Sequence, residues 1–418
     1  MMKIMGHAGY HRRVAINVGA GFIPGMNSVL MGAALAGGKL GWELVGIRDG
    51  FEGLLHPDRY PDGGLVPLSI ERVESLDPAT GGILGQAPPV DPFHAPTTNQ
   101  AEADLSDVLL KRFEEEKIEA LISAVGNQGL EILYKLHLKG LHTVCIPRSI
   151  ENDIASTAIS FGFNTALSVT IEMLNKAYQA ARSARKVAVV EVLGEQAGWI
   201  ALQAGIAARA DVVLIPEIPC NLKHVAARLE DKISPRRPYG LVVVAEGAKF
   251  VDDSPAQGEA EDSTTQRSGQ AAKRTAQTLQ SLIDGEFYPL VIGPWARGGN
   301  PTAVDQQLGM AFGAGAVDLL KAGQTAVMAA FVPPDISYLP LKDATNQNYY
   351  ESLGQSEYGW YKVRGQVANS GIYSIQNPSV YVVHIAKRDG QSAADLPFEG
   401  CGQAGRLFPR SVTGDNDE

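Results

Sequence analysis

Residues 143–167 read TVCIPRSIENDIASTAISFGFNTAL, and the pattern changes twice within this stretch. A short apolar run stops at Pro147, and a polar loop follows that carries Glu151 and Asp153 two positions apart. An amphipathic segment then opens near Ser156 with the periodicity of a long helix, running to about Arg182. A strand end, a carboxylate loop and a helix start in succession mark the edge of a ligand site. In an open α/β sheet, ligands lie beyond the carboxyl ends of the strands, where helix N-termini offer free N–H groups and a positive dipole end.

The same alternation continues on both sides. Upstream, 14–18 and 42–47 read as strands. Between them GAGFIPGMNSVL makes a tight strand-to-helix turn through Gly19, Gly21 and Gly25, whose backbone N–H groups can approach a phosphate. A loop rich in Gly, Pro and Thr spans 81–99. Residues 105–117 are helical in pattern, 120–125 form a strand, and GNQGL from Gly126 is a second glycine turn opening a helix.

Downstream, KVAVVEVLGEQAGWIALQAGIAARADVVLIPE passes from a buried strand through a glycine turn and a small-residue helix to a second buried strand. Further strands fall at 240–246 and 288–293, helices at 270–282 and 303–322, and WARGGNP is a turn. Residues 251–267 are polar and acidic, which predicts a mobile surface loop. Beyond Phe331 the pattern is less regular: 350–366 is expected at the surface, SVYVVHIA is a late strand, and TGDNDE is an acidic tail predicted to be disordered. Strands alternating with helices imply an α/β fold with a parallel, doubly wound sheet.

A length of 418 residues exceeds what one hydrophobic core usually serves, so two lobes are expected. With 45% hydrophobic and 20% charged residues the composition is that of a soluble globular protein, and no apolar run is long enough to span a bilayer. The net charge of −10 gives no electrostatic reason to bind nucleic acid. Cys145, Cys220 and Cys401 are too widely separated for a disulfide framework or a thiolate metal site, which with the absence of a secretory signal points to a cytoplasmic location. Cys145 reads as a buried small residue, and His7 and His11 do not read as a metal pair.

Taken together, PGMN, GWELVGIRDGFEGLL, CIPRSIENDIASTAISFGFNTAL, VVEVLGEQAGW, ADVVLIPE, VVVAEGA and ARGGNPTAVDQQLGMAFGAGAVDLL carry a family resemblance. Their order and spacing over roughly residues 13–330 resemble phosphofructokinases of the ATP- or pyrophosphate-dependent type. The resemblance implies two Rossmann-like lobes with mainly parallel sheets and a cleft between them. The donor-phosphate side would be 10–160 plus 295–345, the sugar-phosphate side 161–294 plus 346–400, and 401–418 the tail. It also implies dimers or tetramers in which the sugar phosphate meets both subunits. The chemistry would move a phosphoryl group from ATP or pyrophosphate, with Mg²⁺, to the 1-hydroxyl of fructose 6-phosphate.

The resemblance also places the site residues, and many of them are altered. The family's TIDND is here SIEND, with Ser149 for Thr, Glu151 at the base and Asp153 retained. The extra methylene of Glu151 moves the carboxylate by roughly a bond length, which is costly in catalysis. The family's GGDGS aligns with 125–129 and puts Asn127 after Gly126 at the Mg²⁺ position, where an amide supplies no charge. The first turn has Ala20, Gly21 and Phe22 for GGD, before Gly25. GGILGQAPP stands for GGT-x-LGSSR, with Pro88 near the Arg and no Arg or Lys between Arg72 and Lys111.

On the sugar side, Glu246 and Arg297 match, and Lys186 replaces an arginine given to the neighbouring subunit's site. Leu193-Gly194-Glu195 replaces MGR, turning a cation into an anion, and Tyr288 and Pro294 replace an arginine and a histidine. These changes predict a catalytically degenerate member that keeps the scaffold and part of a sugar site. It would sense a sugar phosphate, or assemble as a homo-oligomer or with an active paralogue. Three rivals remain. One is an active phosphotransferase on fructose 6-phosphate or a related sugar. A second has a changed donor or acceptor, since Glu151, Asp153, Glu195 and Glu246 together favour a polyol, an amine or a metal. The third is a structural homo-oligomer with an empty cleft.

Overall fold

Fully buried strands dominate the molecule, described here from a computed structural model covering residues 12–19, 21–77, 82–85, 91–96, 102–251, 268–345 and 381–382. Ala20, Pro88, the 252–267 loop, the 350–366 segment, the acidic tail, His7, His11 and Cys401 lie outside the described residues. The strands are β1 (Arg13–Val18), β2 (Glu43–Ile47), β3 (Leu65–Pro67), β4 (Ala95–Pro96), β5 (Glu102–Ala103), β6 (Ala120–Val125), β7 (Thr143–Ser149) and β8 (Phe161–Gly162). They continue as β9 (Val187–Val192), β10 (Val212–Leu214), β11 (Gly240–Ala245), β12 (Phe287–Val291), β13 (Val327–Val332), β14 (Asp335–Pro340) and β15 (Tyr381–Val382). The helices are α1 (Met26–Lys39), α2 (Glu52–Leu55), α3 (Ile70–Glu74), α4 (Ser106–Glu115), α5 (Asn127–Leu138), α6 (Phe163–Ala184), α7 (Trp199–Ala207), α8 (Leu222–Glu230), α9 (Gln270–Leu282), α10 (Ala303–Lys321) and α11 (Leu341–Ala344).

Two sheets carry the fold. The first runs β14-β13-β7-β6-β1-β2-β3 with β8 beside β7; β14 and β3, at its edges, are antiparallel to their neighbours and the interior is parallel. The second runs β12-β9-β11-β10-β15 and is parallel throughout. Strands such as β6, β9 and β11 are buried along their whole length, as helices on both faces of a parallel sheet require. This is the mainly parallel, two-sheet α/β architecture expected from the alternation of strand and helix.

One continuous apolar core runs from Val14 and Ile16 of the first sheet, through Phe163, Ala166 and Leu174 of α6, to Val190 and Val243 of the second. α6 therefore contributes to the core shared by the two sheets. On the first sheet, α1 and α10 cross with their backbones touching. A Cβ on Gly32 would lie 2.2 Å from the Met310 carbonyl oxygen, and one on Gly313 2.1 Å from that of Val29. Among the described residues no helix is long and apolar enough to cross a membrane.

Two expectations are corrected. The long helix does not open near Ser156 but at Phe163, after the short strand β8. Asn152 and Ser156 adopt left-handed φ values of 55° and 63°, and local polar side chains take the backbone instead. Asn152 Oδ1 accepts from Ser160 N–H at 2.8 Å and Thr157 Oγ1 from Phe331 N–H at 3.0 Å. Such side chains compete with helical hydrogen bonds. Among the described residues, the stretch just after Phe331 is regular: β13 and β14 pair antiparallel from Val327↔Pro340 to Val332↔Asp335. β14 is a partly exposed edge strand, so it lacks the apolar alternation that would reveal it.

Candidate active site

β7 delivers the SIEND loop to the carboxyl edge of the first sheet. Ile150, Asn152 and Ile154 are buried and anchor it, which leaves Ser149, Glu151 and Asp153 on its more exposed side. Ser149 Oγ donates to Asp153 and accepts the Glu151 N–H at 3.1 Å. Asn127, the first residue of α5 after its cap Gly126, donates from Nδ2 to Asp153 Oδ2 at 3.1 Å. The amide thus presents its N–H group, rather than its oxygen, to Asp153.

The second sheet closes on this loop. Glu195 N–H donates to Glu151 Oε2 at 3.2 Å, and Gly194 N–H to Glu246 Oε1 at 3.3 Å. Gly194 accepts from Gly247 N–H at 3.0 Å, and a Cβ on Gly247 would lie 1.8 Å from the Glu195 carbonyl oxygen. The LGE turn is thus wedged between Glu151 and the segment after β11. Burial, then the nearby charge of Asp153 and more weakly Glu246, push the Glu151 carboxyl up to about 7, against the opposing pull of the Glu195 N–H and Arg297. Burial also raises Glu246, with Arg297 again opposing.

Cations enter from two directions. Arg148, on β7 and only 5% exposed, donates to the Gly19 carbonyl at 2.5 Å and the Gly21 carbonyl at 2.7 Å. Burial, reinforced by Arg297, lowers Arg148 to about 10. Both guanidinium groups flank the first turn: a Cβ on Gly21 would stand 3.7 Å from Arg148 Nη2 and 3.9 Å from Arg297 Nη1. Gly21 and Gly25 both have φ of +84°, which lets the turn fold back onto them.

Glu151, Asp153, Ser149, Gly126, Asn127, Gly21, Glu195, Glu246 and Arg297 therefore gather at one edge. Lys186 does not join them. It precedes β9 while Glu195 follows it, so the two lie roughly 20 Å apart along a strand of 6 residues. Its ammonium instead pairs with Glu286 at 2.6 Å, beside Tyr288. Arg48 is likewise engaged, by Asp62 at 2.6 Å and the Ile83 carbonyl at 3.0 Å. Phe22 is half-buried in the first turn. Cys145 is fully buried, and desolvation pushes its thiol up to about 12, the state of an inert core residue.

Two carboxylates escaped the reading of the sequence. Asp305 binds the start of α6, and Glu217 accepts the Gly198 N–H of the α7 cap at 2.8 Å. Thr302-x-x-Asp305 ahead of an apolar run is a helix-start signature that marks Asp305, though it points to α10 alone.

This arrangement has relatives. Residues 13–320 match the sequence profile described as Phosphofructokinase. The chain is 34% identical over 333 residues to the ATP-dependent 6-phosphofructokinase of Chloroflexus aggregans, covering 80% of this chain and 91% of that one. It superposes on the phosphofructokinase of Saccharomyces cerevisiae with a TM-score of 0.67 at 22% identity, covering 84% of this chain but spanning about half, 48%, of the yeast one. The pyrophosphate-dependent phosphofructokinase of Marinobacter aquaeolei gives a TM-score of 0.64 at 20% identity, covering 80% and 84% of the two chains. The chain belongs to the phosphofructokinase family.

Proposed function

We propose that this chain is a phosphofructokinase-type protein whose phosphoryl transfer is impaired, acting as a regulatory or assembly partner that binds a sugar phosphate. The observation that carries the reading is the Asn127–Asp153 hydrogen bond at 3.1 Å. A divalent cation on a phosphate donor needs hard oxygen ligands, preferably carboxylates. Here Asn127 turns an N–H group toward the acid beside it, and Asp153 also takes the Ser149 hydroxyl. Among the described residues no group of three or more His, Cys, Asp or Glu side chains is arranged to hold a metal ion. The donor set does not fit Mg²⁺.

In this reading the first sheet forms the donor-phosphate side, with Gly21, Gly25, Gly126 and Asn127, and the second forms the sugar side. Glu246, Arg297, Ser149 and Glu195 face the sugar, and Glu151 occupies the base position. Glu151 is long enough to reach across to the Glu195 N–H, a hydrogen bond that competes with any substrate hydroxyl. Lys186 lies too far from this cleft to serve it, and would reach only the site of a neighbouring copy. The reading includes assembly as a homodimer or homotetramer, or as a hetero-oligomer with an active paralogue.

One observation favours the active reading, a phosphotransferase on fructose 6-phosphate or a related sugar with ATP or pyrophosphate as donor. Arg148 and Arg297 flank the Gly21 turn, and paired guanidinium groups there attract an anionic donor. In that case Glu151, held at about 7, would take the hydroxyl proton. The purified chain, assayed with fructose 6-phosphate and Mg²⁺ plus ATP or pyrophosphate, separates the two. Turnover below about 0.01 s⁻¹ supports impairment, and about 1 s⁻¹ or more overturns it.

A further inference from the structure

Asp305 is fully buried in the first turn of α10, yet its carboxylate serves another helix. It accepts the Gly162 N–H at 3.1 Å, the Thr165 N–H at 2.6 Å and the Thr165 hydroxyl at 2.5 Å. These N–H groups begin α6, a helix of 22 residues whose cap, Gly162, has no side chain to offer. The start of α10 is capped by Thr302, whose Oγ1 accepts the Asp305 N–H at 3.3 Å. Thr302 also ties back to α6, donating from N–H to Thr165 Oγ1 at 3.1 Å and from its hydroxyl to Asn164 Oδ1 at 2.8 Å. Two long helices thus meet start to start, an arrangement their positive dipole ends oppose unless an anion lies between them. The Asp305 carboxyl lies between them; burial pushes its pKa up, and the N–H and hydroxyl donors from the start of α6 oppose that rise.

The junction carries the site. The connection that bears Glu151 runs through β8 into α6, and α10 follows the turn that bears Arg297. The first glycine turn rests on the same point, since a Cβ on Gly25 would lie 3.0 Å from Pro301 Cβ and 3.5 Å from the Phe161 ring. We infer that Asp305 is a positioning residue: by capping α6 from α10 it holds the Glu151 loop, the Arg297 turn and the first glycine turn in register. Asn at this position would supply one acceptor oxygen where two are used, and would turn an N–H group toward N–H donors. The junction would loosen, and water would reach Glu151. The inference rests on Glu151 and Arg297 lining one cleft, as in the proposed function, and is independent of whether the cleft turns over.

The test is the titration of Glu151 in the full chain, followed by the ¹³C carboxyl resonance of labelled glutamate and assigned with Glu151→Gln. Asp305→Asn is expected to lower the Glu151 midpoint from near neutrality by about one pH unit or more, as burial is relieved. Leu229→Ala, in α8 and remote from the junction, should lower the melting temperature while leaving the midpoint in place. Should Asp305→Asn fail to fold, Thr165→Val removes one donor to Asp305 and the acceptor of the Thr302 N–H, and should give a smaller downward shift. A midpoint unmoved in whichever of these two variants folds would overturn the inference. Efficient turnover of fructose 6-phosphate by the native chain would refute the impaired reading and leave this one standing.

Discussion

Replacing Glu151 with glutamine should stabilise the protein at alkaline pH and do little below pH 4.5. The folded chain raises this carboxyl from 4.5 to about 7 because it is buried beside Asp153 and Glu246. Between those values the folded state holds a proton that the unfolded state releases, so folding takes up a proton and stability falls as pH rises. The stability linked to that proton is present below pH 4.5 and is lost on passing through pH 7. From the linkage relation the native glutamate costs about 1 kcal/mol at pH 5 and about 3 kcal/mol at pH 8. Glutamine never ionises, and its amide oxygen can still accept the Glu195 N–H. Urea unfolding at the two pH values should therefore show the variant's advantage over the native chain growing by about 2–3 kcal/mol. An advantage that does not change between pH 5 and pH 8, or that shrinks, would refute the placement of a half-buried, proton-holding carboxyl in the cleft.

Asn127→Asp would set a second carboxylate against Asp153, so millimolar Mg²⁺ should raise the melting temperature of this variant and leave the native chain unchanged; an equal response in both would show that a cation site is already present. Asp211, 4% exposed at its side chain, accepts from Arg237 at 2.9 Å and from the Leu241 N–H at 3.0 Å, with Lys232 at 3.8 Å. Its replacement by alanine leaves the cations beside it without their anion, and should cost about 3–5 kcal/mol in urea unfolding.

The local sequence determined much of the order of elements. Runs such as VAVVEV and LVVVA can be stable only as strands covered on both faces, and the glycine turns after them can only turn, so the α/β class and the place of the SIEND loop at a sheet edge followed from the chain alone. Where local chemistry and tertiary packing diverge, the sequence was silent or misleading. The helix after SIEND starts later than its periodicity suggests because Asn152 takes the nearby Ser160 N–H and Thr157 takes that of the distant Phe331, and β14 carries no alternation because it lies at an edge. The candidate residues could be named, but not which of them meet. Lys186 and Glu195 are close in sequence yet sit at opposite ends of β9. Asp305 and Thr165 are 140 positions apart and share a hydrogen bond at 2.6 Å. Periodicity and spacing record what a residue does to its own element; the charge on Glu151, the company of Arg148 and Arg297 and the cap on α6 depend on contacts between elements, which only the folded chain decides.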